Sequence, residues 1–112
     1  MQMLRQIVQM TGTDSELVIF SYSVTDGWLR QLMKLRQEYQ IQHITLVLDR
    51  EVMIRHREKL MQIQRVADAC YLTDSHAKVY LSKSVKRTIA LITSANATDI
   101  PLPPFLESAI TT

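Results

Sequence analysis

The chain has 112 residues, 46% of them apolar and 21% charged, with thirteen Lys and Arg against eleven Asp and Glu. That length supports one domain with a core of its own rather than two. Two Gly, three Pro and a single Cys argue against a disordered linker, an intrachain disulfide and a cysteine-built metal cluster.

No stretch approaches the roughly 20 apolar residues of a membrane-spanning helix. Met1-Gln2-Met3-Leu4-Arg5-Gln6 lacks the apolar run of a signal peptide. With Cys70 alone, a reducing, cytoplasmic setting is the expectation, with no membrane partner. The net charge of +2 is bland, but its distribution is not. Between Arg50 and Arg87 nine Lys and Arg face four acids, a local charge of +5, and the remainder carries −3. A basic half in a small protein points to an anionic partner, with phosphate backbones the commonest.

In chain order, Met3, Leu4, Ile7 and Val8 fit one face of a short helix over Met1–Met10, stopped by Thr11-Gly12-Thr13-Asp14. Leu17–Tyr22 is a continuous β-rich apolar run, as expected of a buried strand. Thr25 or Asp26 can cap the next helix, which runs to about Tyr39 with Trp28, Leu29, Leu32, Met33 and Leu35 as its apolar stripe. Ile44–Leu48 reads as a second strand ending at Asp49, Arg50–Val66 as a third helix, and Ala69–Leu72 as a short third strand. Helical crossovers between buried strands imply parallel, right-handed connections. Ala77–Leu81 and Thr88–Thr93 are then joined by so short a link that they must form an antiparallel hairpin. Beyond Pro101, Pro103 and Pro104, Phe105–Ile110 can add a last strand. The expected fold is α/β: one domain with a mixed sheet of about six strands and helices on its faces.

The chemistry-bearing residues lie around the hairpin. Alternation in a strand puts His76, Lys78 and Tyr80 on one face and points Ala77, Val79 and Leu81 into a core. Two basic groups on one face repel unless an anion lies between them. Ser94 and Asn96 share a face if the end of the next strand stays extended, and they supply neutral donors. Glu107 lies on the candidate last strand with Phe105 and Ala109.

His76-x-Lys78, a hairpin-length gap, Ser94-x-Asn96 and a Glu about ten residues later resemble the catalytic signature of the phospholipase D superfamily. The strand Leu17–Tyr22 with Ser23-Val24-Thr25-Asp26 after it, the strand ending at Asp49, and Ala69–Leu72 before Ser75-His76 fall in the family's order. The likeness runs from about residue 14 to 110. It implies a phospholipase D-like domain in which His76 attacks a phosphodiester phosphorus to give a phosphohistidine. Lys78 would hold nonbridging oxygens, Ser94 and Asn96 would donate further hydrogen bonds, and Glu107 would orient a His ring. The resemblance implies no metal and no cofactor. Such a mechanism uses two histidines, one as nucleophile and one as general acid, and the chain has one His-x-Lys motif. It therefore implies a homodimer with the active site at its interface.

Two positions depart from the family pattern. Lys83 stands where the family has Asp, five residues after the motif Lys, and Thr93 stands where it has Gly before the Ser. Both favour an alternative in which the domain binds nucleic acid without turnover. The main expectation is a phosphodiesterase, a nuclease acting on DNA rather than RNA, with Lys83, Lys86, Arg87, Arg55 and Arg57 as candidate nucleic-acid contacts. A lipid-headgroup phosphodiesterase fits less well, because no amphipathic insertion helix rich in aromatics is visible. A regulatory or assembly domain using its sheet as a surface is the remaining reading. His43 and His56 fit no site, and Cys70 has no adjacent base to activate it. The Met residues read as core filler, and Asp26, Asp49, Asp74 and Asp99 as caps or turns at element ends.

Overall fold

The computed structural model describes residues 1–74 and 78–92 together with the backbone of 109–111. Helix α1 (Gln2–Thr11) leads through Gly12 into strand β1 (Glu16–Ser21), followed by α2 (Asp26–Tyr39) and β2 (His43–Asp49). Next come α3 (Arg50–Arg55), a 3-10 turn at Arg57–Lys59, α4 (Leu60–Val66) and β3 (Ala69–Thr73). Strands β4 (Val79–Lys83), β5 (Thr88–Ile92) and β6 (Ala109–Thr111) complete the order. Gly12 has φ of +86°, a left-handed turn that suits a residue without Cβ, and its N–H closes α1 on the Val8 carbonyl at 2.8 Å.

The six strands form one mixed sheet, flanked by helices, in the order β3-β2-β1-β4-β5-β6. β1, β2 and β3 are parallel, while β4 is antiparallel to both β1 and β5, as the short hairpin link requires. The third helix expected over Arg50–Val66 is broken instead into α3, the 3-10 turn and α4. The break falls in Arg55-His56-Arg57-Glu58-Lys59, five polar residues in a row with no apolar anchor to hold them to the core.

The helices bury their stripes together. Leu4, Ile7 and Val8 of α1, Trp28, Leu32 and Leu35 of α2, and Ile63 and Val66 of α4 join a single apolar cluster. The strand residues in that cluster are Leu17, Ile19, Ile44, Leu46, Leu48, Tyr80, Ile89 and Leu91, all from one face of the sheet. On the other face Val18, Phe20, Val47, Val79 and Leu81 are only half-buried. The face expected to carry β4's core residues is therefore reversed: Tyr80 and Ser82 are buried against the helices, and Val79 and Leu81 are on the more open side. A hydrogen bond accounts for this. Ser82 Oγ lies 2.7 Å from Thr11 Oγ1 at the end of α1, in a buried pair. The Thr11 proton is directed to the carbonyls of Ile7 and Val8, so Ser82 is the donor.

A second tie closes the far side of the sheet. The Asp68 Oδ2 accepts from the Ile44 N–H at 2.9 Å and from the Arg36 guanidinium at 2.8 Å, while Arg36 also donates to the Val66 carbonyl at 2.7 Å. This fixes the entry of β3 beside the start of β2. Partial burial pushes the Asp68 carboxyl up, but the Ile44 N–H and the Arg36 charge outweigh it and hold the group below the ordinary carboxylate range.

Candidate active site

The pairing sets two ends of the sheet. The carboxyl ends of β1, β2, β3 and β5 and the amino end of β4 lie at one end. The β4–β5 turn lies at the other. In open α/β sheets ligands bind outside the carboxyl ends of the parallel strands, where the loops gather.

Lys78 is at that first end. Phe20 pairs with Val79, so the antiparallel register continued by one step sets Lys78 level with Ser21, the last residue of β1. Alternation continued from Tyr80 puts Lys78 on the helix-covered side of the sheet. Lys78 is half-buried, and among the described residues no carboxylate lies within ion-pair distance of it. An ammonium in that setting is a ready counter-charge for an anion. His76, Ser94, Asn96 and Glu107, with Ser75 and Thr93, lie outside the described residues. In the sequence His76 precedes β4, Ser94 and Asn96 follow β5, and Glu107 precedes β6. The ends of β4 and β5 to which these segments attach share the edge that carries Lys78, and β6 runs antiparallel beside β5.

The candidate nucleic-acid contacts divide. Lys83 pairs across the sheet with Glu16 and Thr88, at the opposite end of β4 from Lys78 and roughly 17 Å away at about 3.4 Å per residue. Lys86 and Arg87 belong to the same distant turn, closed by the Ser84 N–H on the Arg87 carbonyl at 2.8 Å. Arg87 donates to the Met10 carbonyl at 3.5 Å, against the last turn of α1. The structure does not bring these three together with Lys78. Arg55 and Arg57, by contrast, follow the carboxyl end of β2 on α3 and the 3-10 turn.

The loops of the Lys78 end are held by caps. Thr25 accepts the Trp28 N–H at 3.1 Å, so Thr25 rather than Asp26 caps α2. Asp49 is buried and accepts the Val52 N–H at 3.0 Å, the cap expected at that element end. Arg50 meets Asp74 at 3.5 Å, both exposed.

No protein-family model matches the chain, and no curated protein sequence matches it.

Between the β1–α2 loop and α3 lies a cavity of about 310 Å³, lined by Ser23, Thr25, Met53, Arg55, His56 and Lys59 among others. Lys59 reaches across it to donate to the Val24 carbonyl at 3.0 Å. His56 Nδ1 is 3.4 Å from Glu58. In the sequence His56 fits no site and Lys59 is not a candidate contact, yet both line this cavity. Their one signal in the sequence is the spacing of Arg55 and Lys59, four residues apart and so on one face of a helical turn. Burial pushes the Cys70 thiol up, as befits an inert residue. Tyr80 is likewise pushed up to about 12 by burial, which makes it a poor proton donor or acceptor near neutral pH. Among the described residues no three of His, Cys, Asp and Glu cluster as a metal site requires.

Proposed function

We propose that this chain is a metal-independent phosphodiesterase, a nuclease acting on DNA through a phosphohistidine at His76, cytoplasmic and active as a homodimer. The observation that carries the reading is the edge itself. Lys78, and the ends of β4 and β5 next to which the sequence sets His76, Ser94 and Asn96, lie at the carboxyl ends of the parallel strands. Together with the His-x-Lys, Ser-x-Asn and Glu order, this fits a phospholipase D-like site. No helix among the described residues is long and apolar enough to cross a membrane.

In the proposed reaction a His76 ring nitrogen attacks phosphorus. The N–P bond forms as the bond to the leaving oxygen breaks. The His76 of a second copy gives that oxygen its proton, then takes one from water as the water attacks the phosphohistidine and releases the phosphate monoester. Lys78 offsets charge on the nonbridging oxygens, Ser94 and Asn96 donate to them, and Glu107 holds a His tautomer.

The test is wild type against His76→Ala on supercoiled plasmid and labelled single-stranded DNA, with EDTA throughout. Nicking by wild type alone, with phosphate trapped on the protein, is the expected result. Salt-sensitive binding without cleavage would leave a nucleic-acid-binding domain, the reading that Thr93 and Lys83 favour. Neither cleavage nor binding would overturn both.

A further inference from the structure

We propose that the cavity between the β1–α2 loop and α3 is a second phosphate subsite, which takes a neighbouring phosphate of the strand held at Lys78. The proposal rests on the phosphodiesterase reading for the identity of the polymer, and on geometry for the site.

Three nitrogen-bearing side chains, Arg55, His56 and Lys59, line the cavity together with Ser23 and Thr25. Cations and hydroxyls around one cavity form a set suited to a phosphate group, which accepts from both. Lys59 feels the charge of the neighbouring, exposed Glu58 but makes no ion pair with it. It donates to the neutral Val24 carbonyl, and among the described residues no carboxylate lies within ion-pair distance of Lys59 or Arg55. Of the nearby acids, Asp49 caps α3, Glu51 is exposed one turn before Arg55, and Glu58 lies 3.4 Å from His56 with its side chain mostly exposed. An arriving phosphate would compete with Glu58 for that ring.

Position links the cavity to Lys78. Lys78 is level with Ser21, and the cavity begins two residues further along the same chain, at Ser23. Both lie on the helix-covered side of the sheet, at the same end. Two strand spacings, roughly 10 Å, separate the axes of β4 and β2, from which Lys78 and α3 extend. Charges on one nucleic-acid strand recur about every 3.4 Å of axis, so a few nucleotides bridge that distance.

The experiment uses the full chain in two arms. In the first, inorganic phosphate is titrated while NMR follows the His56 ring and the Ser23 and Thr25 amides. Saturable movement is expected, with the apparent Kd raised at least fivefold in Arg55→Gln. In the second arm, a labelled single-stranded 12-mer is bound at several salt concentrations. Arg55→Gln should weaken binding about tenfold and flatten the salt slope by about 0.7, the value for one lost phosphate contact on a single strand. Arg55 is exposed, so its variant keeps the fold, and Lys59→Gln, checked by circular dichroism, serves as the second variant. Resonances that stay still, or a salt slope that stays the same while wild type binds and cleaves DNA, would overturn the subsite and leave the nuclease reading standing. Saturable shifts in a protein that neither binds nor cleaves DNA would support the subsite and overturn the nuclease.

Discussion

The two ends of the sheet both carry basic side chains, and they use them differently. At the β4–β5 turn, Arg87 donates to the last turn of α1, whose carbonyls draw positive charge, while exposed Lys83 lies in register with Glu16 but makes no ion pair with it. Just inside that turn, Ser82 and Thr11 join α1 to the sheet. These groups complete the fold. At the other end, Lys78, Arg55 and Lys59 stand where loops gather, with no carboxylate within ion-pair distance of them among the described residues. The number of charges is similar, but Arg87 is bonded to the helix it closes, whereas Arg55 and Lys59 line a cavity. A basic residue whose charge is met within the protein contributes stability, whereas one left unmatched beside a cavity is available to a ligand.

Lys78→Ala against Lys83→Ala tests this contrast most severely. In DNA cleavage with EDTA present, Lys78→Ala should cost about 10²- to 10³-fold, the range for removing one group that stabilises developing charge. Lys83→Ala, roughly 17 Å away, should stay within about threefold of wild type. Equal losses at the two positions would mean that general basicity, not the geometry of one edge, governs the activity.

The same contrast shows which features were legible in the sequence. β1 and β2 could be read directly, because Leu17–Phe20 is apolar at every position and Ile44–Leu48 at all but Thr45, itself a strand former, which leaves no competing assignment. β4 could not. Hydropathy assigns Val79 and Leu81 to the core, yet Tyr80 and Ser82 are buried, and the deciding bond reaches from Ser82 to Thr11, 71 residues away. Alternation identifies a strand's two faces without saying which face the helices cover. The candidate site divides in the same way. The spacing of His76, Lys78, Ser94, Asn96 and Glu107 is a local signal. The importance of Lys59 depends on its reach to Val24, 35 residues back, which spacing does not encode. The break at His56 was also hidden, since Val52, Met53, Leu60 and Ile63 are spaced as one continuous helix would space them.

Two stability measurements sharpen the structural side. Ser82→Ala removes the donor to Thr11 in a buried pair and should cost about 1–2 kcal/mol in urea unfolding, with DNA binding unchanged. The Asp68 tie gives a pH test. Its carboxyl titrates lower folded than unfolded, so its stabilisation is present above the unfolded value near 4 and is lost as pH falls through the lower folded value. Asp68→Ala should therefore destabilise by about 1 kcal/mol at pH 7, a figure reduced by the exposure of the pair. Its unfolding midpoint should converge on that of wild type as the pH falls below about 4. A gap that persisted there would mean the carboxylate charge is not what ties β3 to β2.

The smallest expected effect separates the two ends most cleanly. Arg87→Ala loses one long, exposed hydrogen bond to the Met10 carbonyl and the attraction of its charge to the end of α1. About 0.5 kcal/mol is expected, a shift of only a few degrees in Tm for a domain of this size. The salt slope of oligonucleotide binding should not change, because no phosphate contact is lost. Arg55→Gln should show the reverse: an unchanged Tm, since its guanidinium has no ion pair to lose among the described residues, and a flattened slope. Stability and salt dependence would then respond to opposite ends of one sheet, although each substitution removes a single arginine charge.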